Sequence, residues 1–105
     1  MKERRRFKRF SISKSAYLKR NNTLYKIIID NISKGGVCIK HTKLFNKSSA
    51  FSLVLNSKEE IDMEIVWNKK INNSHNSKIK FSGFKFINID TYLQNLVLLE
   101  FLFLP

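Results

Sequence analysis

Three glycines, one proline and one cysteine are all this 105-residue chain has of the residues that punctuate or staple a fold. A single cysteine, Cys38, excludes an internal disulfide and fits a reducing compartment. The one proline is Pro105, so no proline interrupts a strand or helix before it. Two histidines, His41 and His75, and one cysteine supply no cluster with metal-ligand spacing. No phosphate-cradling loop of the glycine-rich, lysine-ended kind is present, and Ser33 has no neighbouring base motif. The chain therefore reads as a non-enzyme without cofactor or metal. Long apolar runs are missing too. The longest, Leu96 to Leu104, is broken by Glu100, whereas a membrane span needs about 20 apolar residues. The first residues are too charged for a signal peptide, so a cytoplasmic location is expected.

Acid is scarce: eight Asp and Glu stand against 20 Lys and Arg, for a formal charge of +12. Such an excess points to an anionic partner. Residues 1–20 hold nine of the basic side chains and only Glu3 in opposition, which is +8 of the +12. Arginine is rarer than lysine and concentrated: Arg4, Arg5, Arg6 and Arg9 are four of the five copies. Elsewhere the chain uses lysine. Arginine's planar fork grips phosphates and base edges bidentately, which a lysine point charge does not. In an extended segment Arg5 and Arg9 point the same way, about 13 Å apart. The competing reading is a solvated basic tail.

Residues 1–9 read as a flexible basic arm and 10–105 as one domain. Apolar and polar residues alternate from Phe10 to Leu18, the period of a half-buried strand. Asn21-Asn22 predicts a turn, and Leu24 to Ile32 a second strand. Ser33-Lys34-Gly35-Gly36 predicts a glycine turn using positive φ. Val37, Ile39 and His41 mark a third strand, and Phe51, Leu53 and Leu55 a fourth. Ile61, Met63, Ile65 and Trp67 alternate in a fifth, with Asp62 and Glu64 on its solvated side. Ile79 to Ile89 forms a sixth, with a bulge or break expected at Ser82-Gly83. Asp90 is an N-cap for a helix over about 90–103. The expected fold is mainly β, a small six-stranded antiparallel barrel with one C-terminal α-helix. That helix is apolar nearly all round, at Leu98, Leu99, Phe101, Leu102, Phe103 and Leu104, so part of it is available to a partner or to a homodimer.

Asn31 and Ser33 are two apart and project to one side of a strand, where short polar side chains can meet a base or ribose. Taken alone, a hairpin turn in which they bond their own backbone is the better explanation. Taken together, the two segments are more specific. Arg5-x-x-x-Arg9, two strands, and then Asn31-x-Ser33-x-x-Gly36 resemble the PilZ domain family, marked by RxxxR and (D/N)xSxxG. The likeness continues through Ile61–Trp67 and Gly83–Asp90 and covers nearly the whole chain, as a stand-alone domain. It implies a six-stranded barrel that binds cyclic di-GMP and signals to an unidentified downstream protein as a receptor or adaptor. On that resemblance Arg5 and Arg9 form a clamp, Arg4 is a further contact, Asn31 and Ser33 bond the ligand, and Gly36 keeps the turn open. Arg6 matches no required position. Trp67 either stacks on a base or continues the Ile61, Met63, Ile65 core face, and burial favours the core. Two alternatives stay open: a basic barrel binding RNA or single-stranded DNA, and a PilZ-like docking module without nucleotide binding.

Overall fold

Alternation decides the first strand as its period requires. In the computed structural model, which describes residues 7–43, 45–47, 49–70 and 78–103, β1 (Phe10–Arg20) buries Ala16 and Leu18. It turns Ser11, Ser13, Ser15 and Tyr17 outward. Asn21 takes a left-handed φ of 56° in the two-residue turn, a conformation asparagine tolerates better than most. The chain then returns as β2 (Thr23–Ile32). β3 is Gly36–His41, β4 Phe51–Val54, β5 Glu60–Lys70 and β6 Lys80–Phe86. The strands are antiparallel and close in the order β1-β2-β3-β6-β5-β4, with β4 pairing back onto β1. The short β4 closes the seam over Tyr17–Arg20 of β1 and Glu60–Met63 of β5.

The inward faces form one core, including Leu18, Ile29, Ile39, Leu53, Ile61, Met63 and Phe84. Phe45, from the segment between β3 and β4, is buried in it beside the ends of β1 and β3. Its ring lies 5.8 Å from that of Tyr25, 5.3 Å from Phe51 and 6.5 Å from Phe84, all edge-on. Arg20, the one arginine outside the N-terminal cluster, sits over Tyr25 and Phe45 and donates to the Tyr25 hydroxyl at 2.9 Å. Its role is structural, a cation on aromatic faces.

α1 (Thr91–Leu98) starts as expected: Asp90 Oδ1 accepts from the Leu93 amide at 2.8 Å. It ends in a π-helical turn, Leu99–Phe103. Val97 and Phe101 enter the core. Glu100 is buried and accepts twice from the Asn56 amide, at 2.8 and 2.9 Å, which ties the helix to the β4–β5 turn. Gln94 Nε2 donates to the Lys34 carbonyl at 3.2 Å and ties it to the β2–β3 turn. Tyr92, Leu99 and Phe103 remain exposed in a stripe, and Leu104 lies outside the described residues.

Two local expectations change. No described glycine has positive φ, so Gly35 and Gly36 do not serve the turn through left-handed backbone. The irregularity expected in β6 at Ser82-Gly83 is instead in β5. β6 pairs with β3 without interruption, while the β5–β6 register shifts between Ile65 and Trp67.

Candidate functional site

Directly opposed residues of antiparallel strands share a face. Asn31 opposes Cys38, Cys38 opposes Gly83, and Gly83 opposes Trp67. The neighbours Val37, Phe84 and Ile65 point into the core. These four residues therefore form one row across β2, β3, β6 and β5 on the outer face of the barrel.

The row exists because of two bulges. In β2, Ile29 and Asn31 oppose Ile39 and Cys38, leaving Asp30 as the extra residue. In β5, Ile65 and Trp67 oppose Phe84 and Gly83, leaving Val66 as the extra residue, 52% exposed. An added residue reverses the alternation beyond it. Trp67 is thus carried out of the core face it would otherwise continue, and the core placement expected from the period is corrected. Gly83 makes room for it: a Cβ there would lie 2.3 Å from Trp67 Nε1, so the indole lies over bare backbone.

Arg9, Asn31, Ser33, Gly36, Cys38 and Trp67 line a groove of about 260 Å³, with Phe7 at its edge. Arg9 comes from the segment leading into β1, which brings the N-terminal cation over the row. Phe7 rests on Gly35, where a Cβ would meet the ring at 3.0 Å. Ser33 is buried. Its Oγ accepts from the Gly35 amide at 3.1 Å and its own amide donates to the Gly36 carbonyl at 2.9 Å. The hydroxyl thus closes the turn and keeps a proton to donate. Asn31 Nδ2 donates to Asp30 at 3.3 Å. A Cβ on Gly36 would stand 2.1 Å from the Phe84 carbonyl oxygen, so glycine permits close strand packing here.

Cys38 forms the floor, 6% exposed. Burial pushes its thiol pKa up, and Asp30 adds to this, against smaller opposing effects of Arg9 and Asn31. The thiol stays protonated and acts as a small apolar surface. At the flank, Lys85 pairs with Glu64 at 2.9 Å.

The structure gathers Arg9, Asn31, Ser33, Gly36 and Trp67 around one groove. Arg4 and Arg5 lie outside the described residues. Sequence reasoning missed Cys38 and Gly83 as parts of the floor. The signal for Gly83 was present, since a glycine inside a strand marks a bulge or a close approach, but it was assigned to the wrong strand. The groove offers a guanidinium, an amide, a hydroxyl and two ring faces. That set suits a planar, anionic ligand. Among the described residues there is no group of acids, histidines and cysteine placed to hold a metal ion. No described helix is long and apolar enough to cross a membrane.

Known structures share this barrel. The chain superposes on the Bacillus subtilis inhibitor of motility MotI/DgrA with a TM-score of 0.69 at 15% identity, covering 91% of this chain and 48% of that one. For Escherichia coli YcgR in complex with c-di-GMP the TM-score is 0.62 at 14% identity, with 90% and 42% covered. For the YcgR PilZ domain with c-di-GMP it is 0.60 at 13% identity, with 90% and 86% covered. The chain thus spans about half the length, or less, of the first two. No curated protein matches the sequence. The model of the PilZ domain matches residues 3–103, nearly end to end, and with the closed barrel and its helix this places the chain in the PilZ domain family.

Proposed function

We propose that the chain is a non-enzymatic receptor for cyclic di-GMP, held on the outer row beneath the N-terminal arm. The observation that carries this reading is the convergence of Arg9, from the segment before β1, with Asn31, Ser33 and Gly36, from the β2–β3 turn, on one groove. Family membership supports it, as do the two similar YcgR structures that contain c-di-GMP.

Cyclic di-GMP is a dianion with two guanines. Bidentate arginine is the commonest specific reader of a guanine edge, and it grips phosphate in the same way. Arg9 takes one such contact in this reading, Arg5 the second and Arg4 a third. Asn31 accepts from or donates to a base edge, and Ser33 donates its free proton to a ligand oxygen. Gly36 lets the ligand approach the backbone. Trp67, lying flat on Gly83, stacks on a base. Residues 1–9 act as an arm whose ordering on the ligand reports occupancy, on a barrel domain spanning 10–105. The exposed stripe of Tyr92, Leu99 and Phe103 is the surface this reading assigns to a downstream protein or a second copy, in the cytoplasm.

Calorimetric titration with cyclic di-GMP tests it. Wild type binds at micromolar affinity or better. Arg9→Ala loses more than about tenfold, the worth of a charge-assisted contact, and Ser33→Ala about fivefold, the worth of one neutral hydrogen bond. No heat and no competition with wild type would sink the proposal. An Arg9→Ala variant equal to wild type would show that the arm is only a tail.

A further inference from the structure

The Asn31–Cys38–Gly83–Trp67 row has a neighbour that the dinucleotide reading leaves unused. Ile28 opposes Lys40, Lys40 opposes Phe81, and Phe81 opposes Lys69. Lys40 is two residues beyond Cys38, Phe81 two before Gly83, and Lys69 two beyond Trp67. This second row therefore lies on the same outer face, about 7 Å from the first. Trp67 and Phe81 are diagonal neighbours across β5 and β6, within reach of each other for aromatic side chains.

The charges on the two flanks differ. Lys85 is neutralised by Glu64. Lys40 and Lys69 are in no salt bridge with a described residue. Neither row contains a carboxylate. Phe81 is half-buried, leaving part of its ring open. The face thus presents two stepped aromatic rings with cations beside them, and the carboxylate beside the first row, Asp30, is bonded to Asn31.

That arrangement is the chemistry of single-strand capture, in which successive bases stack on aromatic rings and cations follow the backbone. We propose a second activity: binding of single-stranded nucleic acid, with bases on Trp67 and Phe81 and phosphates on Lys40 and Lys69. Lysines are point charges and read no base edge, so recognition is sequence-tolerant. Nothing in the row selects for a 2′-hydroxyl, so RNA and DNA bind alike. Paired bases within a duplex are stacked on each other and cannot reach the rings.

Fluorescence anisotropy with labelled oligouridylate and oligothymidylate, each about 12 nucleotides long and thus within the range of one small-barrel site, tests this over a salt series. Both strands bind the full wild-type chain within a few-fold of each other, and a duplex of equal length binds more weakly. Lys40→Ala/Lys69→Ala lowers the salt slope by about 1.4, two single-strand phosphate contacts. Phe81→Leu keeps the apolar area and weakens binding about fivefold or more, with the slope unchanged. Where the double variant unfolds, each single lysine variant lowers the slope by about 0.7. Absence of binding, equal affinity for the duplex, or variants that bind as wild type would each overturn the proposal; the last would assign the affinity to the basic arm.

Discussion

Gly36 faces the Phe84 carbonyl so closely that a Cβ would stand 2.1 Å from its oxygen, and the obstacle is backbone inside a paired strand. Gly36→Ala is therefore expected to destabilise the barrel by about 1–3 kcal/mol, the usual cost of overpacking. Gly35→Ala would meet only the exposed Phe7 ring, at 3.0 Å, which can move. Chemical denaturation of the two variants should give a clear loss for Gly36→Ala and little for Gly35→Ala. Gly83 makes a different demand. A Cβ there collides with the Trp67 indole, a side chain on the outer face that can swing away. Gly83→Ala should fold, release Trp67 from its seat, and shift tryptophan emission to the red. The chain has a single tryptophan, so the signal is unambiguous. Cyclic di-GMP binding should weaken in parallel if Trp67 stacks on a base. The sequence marked Gly36 as part of a binding motif, but what glycine does there depends on the strand opposite, which no local pattern contains.

At the level of elements, the helix start was legible because capping is local. Asp90 stands three residues before the amide it accepts from, at 2.8 Å. Asp90→Ala should cost about 1 kcal/mol, measured as a lower denaturation midpoint with an unchanged slope. The helix end was not legible. Leu99–Phe103 turns with π geometry while Glu100 reaches the Asn56 amide, a contact set by where the β4–β5 turn lies. Burial raises the Glu100 pKa, and the Asn56 bonds only partly oppose this. The β5 bulge was hidden for the same reason. Ile61, Met63, Ile65 and Trp67 keep a perfect apolar period, yet the register against β6 inserts Val66 and turns Trp67 outward. Periodicity gives the direction of a side chain only while the pairing stays in step.

For the whole molecule, His41 is a titrating group in the barrel interior that acts on global stability. His41 is buried and stacked on Phe45, with ring centroids 4.4 Å apart. Ser82 donates to Asn68, so the 2.7 Å contact between His41 Nε2 and Ser82 Oγ is a bond donated by the imidazole. Burial lowers the His41 pKa below its ordinary 6.5, against a backbone contact at Lys43, and Lys80 lowers it further. The folded state thus binds fewer protons than the unfolded one between the two pKa values. The stabilisation is complete above about 6.5 and is lost as pH falls through that value toward the folded pKa. The thermal midpoint should drop between pH values of about 7.5 and 5.5, and the drop should shrink in His41→Gln. The sequence by itself determined the strands and their inward faces up to the bulges, the helix cap, the basic excess and the two motif segments, because each rests on local spacing or composition. Tertiary structure alone decided the strand order that closes the barrel, the core place of Phe45, and the outer row on which Asn31, Cys38, Gly83 and Trp67 meet. That row depends on register between strands distant in sequence, and one extra residue in β5 moved its tryptophan from the core to the surface.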